Sequence, residues 1–129
     1  MKTNHKLALA MLAGVSIGIA SAKVIYAQQA KAPPAYVIAE IQVTDLIAMQ
    51  KYGEKMPETL ATFNHHYLVR GGKPQALEGE GPNSIVMIGF DSVDKAREWY
   101  DSPAYQAIKP IRQNAAKTRM FIVEGVAAP

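Results

Sequence analysis

The segment that most constrains the fold is residues 84–90, a predicted strand with apolar side chains on both faces. Successive side chains of a strand point to opposite faces, so its apolar residues form two sets. These sets are Val86, Ile88 and Phe90 on one face and Ile85 and Met87 on the other. Residues 120–126 repeat the pattern in another predicted strand. A sheet built from such strands needs cover on both faces, and one layer of helices covers only one.

The residues before this segment predict an earlier strand and a helix. Residues 36–43 alternate between apolar and mixed positions, which is typical of a half-buried strand. Thr44 and Asp45 offer a helix cap, and apolar residues then recur at spacings of three and four. This predicted core-facing set is Leu46, Met49, Tyr52, Met56, Leu60 and Phe63. Gly53 and Pro57 interrupt the pattern, so we expect a kink or a restarted turn there.

A second strand is predicted at residues 66–70. Gly71 and Gly72 follow it and permit a bend or a bulge, because glycine adopts positive φ without a steric penalty. Residues 75–78 are expected to continue this strand before the loop at residues 79–83.

Two helical segments are predicted before the last strand. Ser92 can cap a helix that ends near Tyr100, and Ser102 can cap another that begins at Pro103. Trp99 lies in the first segment, and we expect it to pack against the sheet. The order of elements is then β-α-β-β-α-β, with the second helix restarted after Ser102. This order predicts an α+β, ferredoxin-like domain, in which a four-stranded antiparallel sheet carries its helices on one face.

The N-terminus has the composition of a secretory signal, with basic residues before an apolar run at residues 7–22. A membrane-spanning helix needs roughly 20 apolar residues, so we expect cleavage instead of retention as an anchor. Ala22 and Ala27 both suit cleavage, and we favour Ala27. The predicted organisation is a signal peptide at residues 1–27, a leader at 28–34 and a domain at 35–126. The mature protein is expected in the periplasm or outside the cell, with membrane contact only through an uncleaved signal.

Charge and cysteine content exclude several functions. The formal charge of +3 is accounted for by Lys2, Lys6 and Lys23. Cleavage after Ala27 would remove these three lysines and leave a formally neutral domain. We therefore expect no nucleic-acid partner. The chain has no cysteine, which excludes thiol catalysis, redox pairs and thiolate metal sites. A second copy of the sheet is the simplest cover for the free apolar face, so the expected partner is an identical chain.

Three segments carry a family resemblance: residues 35–40 (AYVIAE), 68–72 (LVRGG) and 99–105 (WYDSPAY). They resemble domain-of-unknown-function family 1330, within the dimeric α/β-barrel group, and the resemblance extends over residues 35–125. It implies small dimers whose sheets meet face to face. It implies no particular reaction.

Arg70 is the first candidate for ligand binding. A guanidinium at a strand end presents a planar fork to a carboxylate, and Gly71 and Gly72 let a ligand approach the backbone. The structural alternative is an ion pair with Glu78 or Glu40 that stabilises the bend.

His66 is the candidate catalytic base. In a regular strand His66, Leu68 and Arg70 share one face, which would place a base beside an anion-binding group. An exposed strand entry is the alternative. We expect no metal and no cofactor, because His65 and His66 point to opposite faces and no third ligand has a suitable spacing.

Tyr36 and Tyr105 are candidates for lining a pocket with their hydroxyl groups, and packing in the core is the alternative. Three functions remain open. The first is an exported dimer that binds a small anionic or aromatic molecule between helices and sheet. The second is a cofactor-independent isomerase or monooxygenase that uses His66 and Arg70. The third is a non-catalytic dimeric interaction module. A polar-lined cavity containing Arg70 favours the first two, and a filled core with Arg70 paired at the surface favours the third.

Overall fold

The computed structural model describes residues 31–129. Its elements are β1 (Ala35–Val43), α1 (Leu46–Leu60), β2 (His65–Gly72), β3 (Ser84–Phe90), α2 (Val93–Asp101), α3 (Pro103–Ala115) and β4 (Ala116–Glu124). The predicted signal peptide lies outside the described residues, and the predicted leader lies only partly within them. None of the helices in this part of the chain has the length and apolar character needed to cross a membrane.

The four strands form one antiparallel sheet in the order β2-β3-β1-β4. The three helices pack on one side of the sheet, which we call the helix face, and the opposite side is the outer face. The predicted ferredoxin-like α+β fold is confirmed, and the second helix of that arrangement is divided into α2 and α3. Strand β4 begins earlier than predicted, directly after α3.

The core lies between the helix face and the helices, and Trp99 is at its centre. Trp99 is 1% exposed. Its indole N–H donates to the Thr59 hydroxyl at 3.0 Å. Its ring centroid lies 4.3 Å from that of Tyr105 and 5.5 Å from that of Phe90. Because Phe90 belongs to β3, the predicted packing of Trp99 against the sheet is confirmed.

Helix α1 begins at the predicted cap, where the Asp45 carboxylate accepts a hydrogen bond from the backbone N–H of Ala48 at 3.0 Å. It then runs without interruption through Pro57, so the expected restart is wrong. Pro57 and Gly53 are both exposed, and water can satisfy a carbonyl that loses its helical partner there. Leu46 is also wrongly placed in the core. It is 79% exposed, and the apolar stripe of α1 reaches the core only from Met49 onward.

Ser102 separates α2 from α3, as predicted. Its backbone is extended, with φ −61° and ψ 145°. Its hydroxyl donates to the carbonyl of Trp99 at 2.6 Å and accepts from the backbone N–H of Tyr105 at 3.3 Å. One side chain therefore ends α2 and begins α3, which places the rings of Trp99 and Tyr105 against each other.

Strand β2 contains a β-bulge at Leu68. Tyr67 and Val69 pair with adjacent residues of β3, so Leu68 is an extra residue without a partner in the register. The bulge shifts the alternation of side chains by one position. Arg70 consequently faces the helices, whereas His66 faces outward. The prediction that His66 and Arg70 share a face is wrong for this reason.

A second register shift lies between Arg70 and Gly72, and Gly71 within it has φ +73°. Glycine adopts this left-handed conformation at little cost, so the predicted bend at this position is confirmed. The expected continuation of the strand at residues 75–78 is wrong, because β2 ends at Gly72. Pro74 has no N–H to donate to a neighbouring strand, and the chain leaves the sheet.

The outer face has an apolar row that crosses all four strands. The row consists of Val69, Met87, Ile38 and Phe121, which are paired across the sheet. No helix of the described chain covers this face, and Phe121 is 42% exposed. Tyr36 lies on the same face, where its ring occupies the space next to Gly125. The prediction that the strands are apolar on both faces is confirmed.

Candidate functional site

A cavity of about 210 Å³ lies between α1 and the helix face of the sheet. Most of its wall is apolar, formed by Val37, Ala39, Ile41, Met49, Met56, Val86, Ile88, Trp99 and Met120. Cavities of about 150 Å³ in protein cores bind benzene, so this space accommodates a single ring. An apolar cavity with a few placed polar groups is the usual form of a small-molecule site.

The exposed mouth of the cavity is formed by Arg70, Gly71 and Gly53. The Arg70 guanidinium carbon lies 4.7 Å from the ring centroid of Tyr67, which also lines the cavity. This cation–π contact positions the guanidinium at the entrance. Burial raises the pKa of Tyr67, and the charge of Arg70 opposes this shift.

The ion pairs among the described residues leave Arg70 without a carboxylate. They join Lys95 to Glu98 and Arg119 to Glu40. The alternative in which Arg70 pairs with Glu78 or Glu40 is therefore wrong within residues 31–129, since Glu40 is held by Arg119 and neither ion pair includes Glu78. The positive charge at the mouth is available to a ligand.

The polar part of the cavity wall is formed by Tyr52 and Arg112, which are linked through the buried Tyr105 behind it. Arg112 Nε–H donates to the Tyr105 hydroxyl at 3.2 Å. The Tyr105 and Tyr52 hydroxyl oxygens are 3.1 Å apart. The Tyr105 hydroxyl also lies 3.9 Å from the Met120 sulfur, which is a weak acceptor. Either hydroxyl can donate in the bond between the two tyrosines, so a ligand oxygen in the cavity can accept from Tyr52 when Tyr105 donates to Tyr52.

Arg112 is the most unusual member of this group. It is only 5% exposed, and neither ion pair of the described residues includes it. Buried charges are normally paired, because transferring an isolated charge from water to a protein interior is costly. Arg112 lines the cavity, so its charge favours an anionic group in the cavity.

The hydroxyl of Tyr52 is a hydrogen-bond donor at neutral pH. Burial raises the pKa of Tyr52, and the adjacent Tyr105 raises it further, while the charge of Arg112 acts in the opposite direction. The phenol is therefore protonated at neutral pH and is able to donate a hydrogen bond. The site therefore combines one neutral donor, one buried cation and one cation at the mouth.

Only some of the residues predicted to form the site lie at the cavity. Arg70 and Gly71 line the cavity, and Tyr105 lies behind its wall, linked through Tyr52. Gly72 does not line it; a side chain there would meet Val69 at 2.8 Å, so packing accounts for this glycine.

The two other predicted residues, His66 and Tyr36, lie on the outer face, away from the cavity. The His66 ring covers Gly89, where an added Cβ would lie 2.5 Å from it. His66 and Arg70 therefore do not form one proton-transfer site within this chain.

Sequence reasoning missed Tyr52 as a polar site residue and missed Arg112 entirely. Arg112 does have a signal in the sequence, because it falls on the helical stripe of Tyr105, Ile108 and Ala115. A charged residue on an otherwise apolar stripe is a candidate for a buried functional charge. Nothing in the sequence shows that α1 brings Tyr52 to the same place.

Several solved structures share this fold. A protein of unknown function from Rhodopseudomonas palustris, RPA0582, has TM-score 0.61 at 18% identity, covering 82% of this chain and 95% of that one. SnoaB from Streptomyces nogalater, described as a cofactor-independent oxygenase, has TM-score 0.53 at 14% identity. The match covers 75% of this chain and 97% of SnoaB. A dimeric ferredoxin-like protein of unknown function from Thermobifida fusca has TM-score 0.52 at 15% identity, covering 72% and 92%. At these identities the likeness shows the fold.

None of the curated proteins matches this sequence. The model of the family described as "Domain of unknown function (DUF1330)" matches residues 34–126, which include the whole sheet and all three helices. The predicted resemblance is confirmed, and the chain belongs to this family.

Proposed function

We propose that this protein binds a small organic anion with a single-ring apolar body in the cavity between α1 and the sheet. The observation that carries the proposal is Arg112, a buried guanidinium that faces an apolar cavity without a carboxylate from the described chain. An anionic ligand supplies the missing charge partner. In this proposal the protein acts after export, as its N-terminal segment predicts, and as a homodimer.

The binding mode follows from the placement of the three polar groups. The apolar body contacts Val86, Ile88 and Met56, and the anionic group accepts a hydrogen bond from Tyr52. Arg112 stabilises the anion directly and also orients Tyr105, which in turn orients Tyr52. Arg70 at the mouth attracts the anion and approaches it as the ligand enters.

Replacing Tyr52 by Phe is expected to weaken the binding of benzoate, a single-ring carboxylate, by about 10-fold or more. A hydrogen bond to a charged group contributes about 1.5–3 kcal/mol, and Phe removes only the hydroxyl. Trp99 is the only tryptophan and lines the cavity, so its fluorescence reports binding, with calorimetry as a second measurement.

Tyr36→Phe is the matched control, since it removes the same hydroxyl on the outer face. Benzamide is the matched neutral ligand, and it is expected to bind more weakly than benzoate to the wild-type protein. Equal benzoate affinity in Tyr52→Phe and Tyr36→Phe, or the lack of any benzoate binding, would contradict the proposed site.

Replacing Arg70 by Ala is expected to lower benzoate affinity by about 10-fold, while benzamide binding changes little, because the lost group is a charge. The free energy of unfolding should change by less than about 1 kcal/mol, as for other exposed substitutions. Titration with both ligands and urea denaturation measure these effects.

Arg97→Ala, a change of another exposed arginine, is the control for the lost net charge. If Arg70→Ala and Arg97→Ala reduce benzoate affinity equally, the effect is one of overall charge, and Arg70 does not belong to the site.

The geometry favours this function over the two alternatives. An isomerase or monooxygenase using His66 and Arg70 together required them in one site, and they lie on opposite faces of the sheet. A purely structural module required a filled core with Arg70 paired at the surface. The described residues instead contain a cavity that Arg70 lines.

A further inference from the structure

The imidazole of His66 lies on the outer face of the sheet, where the binding of the proposed ligand does not use it. His66 pairs with Gly89 of β3. A Cβ added at Gly89 would lie 2.5 Å from the ring carbon Cε1 and 2.7 Å from Nε2. The ring therefore lies over β3, although β2 itself is an edge strand. Glycine at position 89 leaves the space that the ring occupies.

This position is next to the apolar row of the outer face. Gly89 is also paired with Tyr36 of β1. Met87 and Ile38, both in the apolar row, lie two residues further along these two strands. Sheets that pack face to face are about 10 Å apart, and their side chains interdigitate. When two outer faces pair, the His66 ring is therefore enclosed between the two sheets.

The charged groups of the outer face give little support to a protonated imidazole. The other ionisable side chains that the sheet places on this face are Tyr36, Glu40, Lys117 and Arg119. Glu40 is already paired with Arg119, and neither ion pair of residues 31–129 includes His66. Asp91, just beyond the end of β3, is exposed and accepts a hydrogen bond from the Asn64 amide at 2.8 Å.

A second copy of the chain brings the same groups to the interface, because a twofold interface joins the same surface of both chains. Lys117 is the charge on this face that has no partner among the ion pairs of the described residues, and it is positive. Protonation of His66 in both chains would thus add two positive charges to an interface that already has an excess of positive charge.

We propose that His66 is a pH-sensitive switch that makes acid dissociate the homodimer. This inference rests on the homodimer of the proposed function and is independent of its ligand. Histidine is the side chain that normally changes charge between about pH 5 and 8. Burial between two sheets favours the uncharged imidazole, because an isolated charge is costly to bury. Protonation therefore favours the separated chains, in which water surrounds each ring.

The test is sedimentation of the full-length chain over a range of concentrations, at about pH 7.5 and about pH 5.5, on the two sides of the usual histidine titration. Each chain that leaves the dimer takes up as much as one proton at His66. By linkage, each histidine can then raise the dissociation constant of the dimer by up to about 10-fold per pH unit. We expect a total increase of about 10-fold or more at the lower pH.

Three variants assign the effect to His66. His66→Gln has a polar side chain that does not titrate, so its dimer should have the same dissociation constant at both pH values. His66→Lys carries a positive charge at both, so its dimer should be weak even at about pH 7.5. His65→Gln is the matched control, because His65 is on the helix face, with Nδ1 2.8 Å from the carbonyl oxygen of Phe63. Its dimer should keep the pH dependence of the wild-type protein.

Circular dichroism at both pH values checks that each protein is folded. A wild-type dimer with one dissociation constant at both pH values would overturn the switch and leave the homodimer standing. A pH dependence that persists in His66→Gln, or a His66→Lys dimer as tight as the wild type, would also overturn it. A wild-type protein that is monomeric at both pH values would reject the homodimer as well, while benzoate binding tests the ligand of the proposed function separately.

Discussion

Replacing Trp99 by Ala should destabilise the protein by about 3–5 kcal/mol, the usual cost of truncating a buried tryptophan. The side chain is 1% exposed and its ring contacts Phe90 of β3 and Tyr105 of α3. Its removal leaves a space beside the existing cavity, so the surrounding side chains cannot close it fully. Domains of this size have a total stability of about 5–15 kcal/mol, so this loss is a large share.

Urea denaturation followed by far-ultraviolet circular dichroism measures the effect, at one fixed protein concentration. Thr59→Val is the partial control, because it removes the acceptor of the indole N–H at 3.0 Å and keeps the ring. We expect it to cost about 1–3 kcal/mol, the penalty for an unpaired buried donor. If Trp99→Ala lowers the free energy of unfolding by less than Thr59→Val does, Trp99 is not the centre of the core.

Replacing Ile38 by Asp should dissociate the proposed homodimer. Ile38 lies in the apolar row of the outer face, between Met87 of β3 and Phe121 of β4. In a twofold interface the substitution appears twice, and each unpaired carboxylate costs at least about 2 kcal/mol to bury. Together the two carboxylates weaken the dimer by about 1,000-fold or more.

Light scattering and sedimentation across a range of protein concentrations measure this change. Ile47→Asp is the matched control, since Ile47 is 71% exposed in the first turn of α1, away from the outer face. Circular dichroism checks that each variant is folded. A wild-type protein that is monomeric at micromolar concentration, or an unchanged dimer in Ile38→Asp, would exclude pairing through this face.

Local patterns predicted most of the fold because they depend on neighbours in sequence. The alternation in β1 and β3, the cap at Asp45 and the junction at Ser102 all occur as expected. The error that affected the candidate site arose where one residue shifts the alternation of all the strand residues after it. Leu68 is an ordinary apolar residue in a strand, and nothing in its neighbours marks it as a bulge.

That bulge decides the composition of the candidate site. Without the bulge, Arg70 and His66 would share the outer face; with it, Arg70 lines the mouth of the cavity and His66 stays on the outer face. Tyr36 lies outside the site for a different reason. Alternation in β1 points its side chain to the outer face, whereas the adjacent Val37 is buried on the helix face. The sequence identified Arg70 and Gly71, but it could not assign either of them to a face.

By itself the sequence determined which segments are strands and helices, that the sheet needs cover on both faces, and to which family the chain belongs. These properties follow from periodicity, capping and short motifs, which are local. Only the tertiary structure decided that Arg112 of α3 and Tyr52 of α1 meet through Tyr105 beside a cavity. That contact depends on how helices distant in sequence pack on the sheet. The burial of Arg112 and the identity of its hydrogen-bond partner are set by this packing, so the sequence alone does not reveal them.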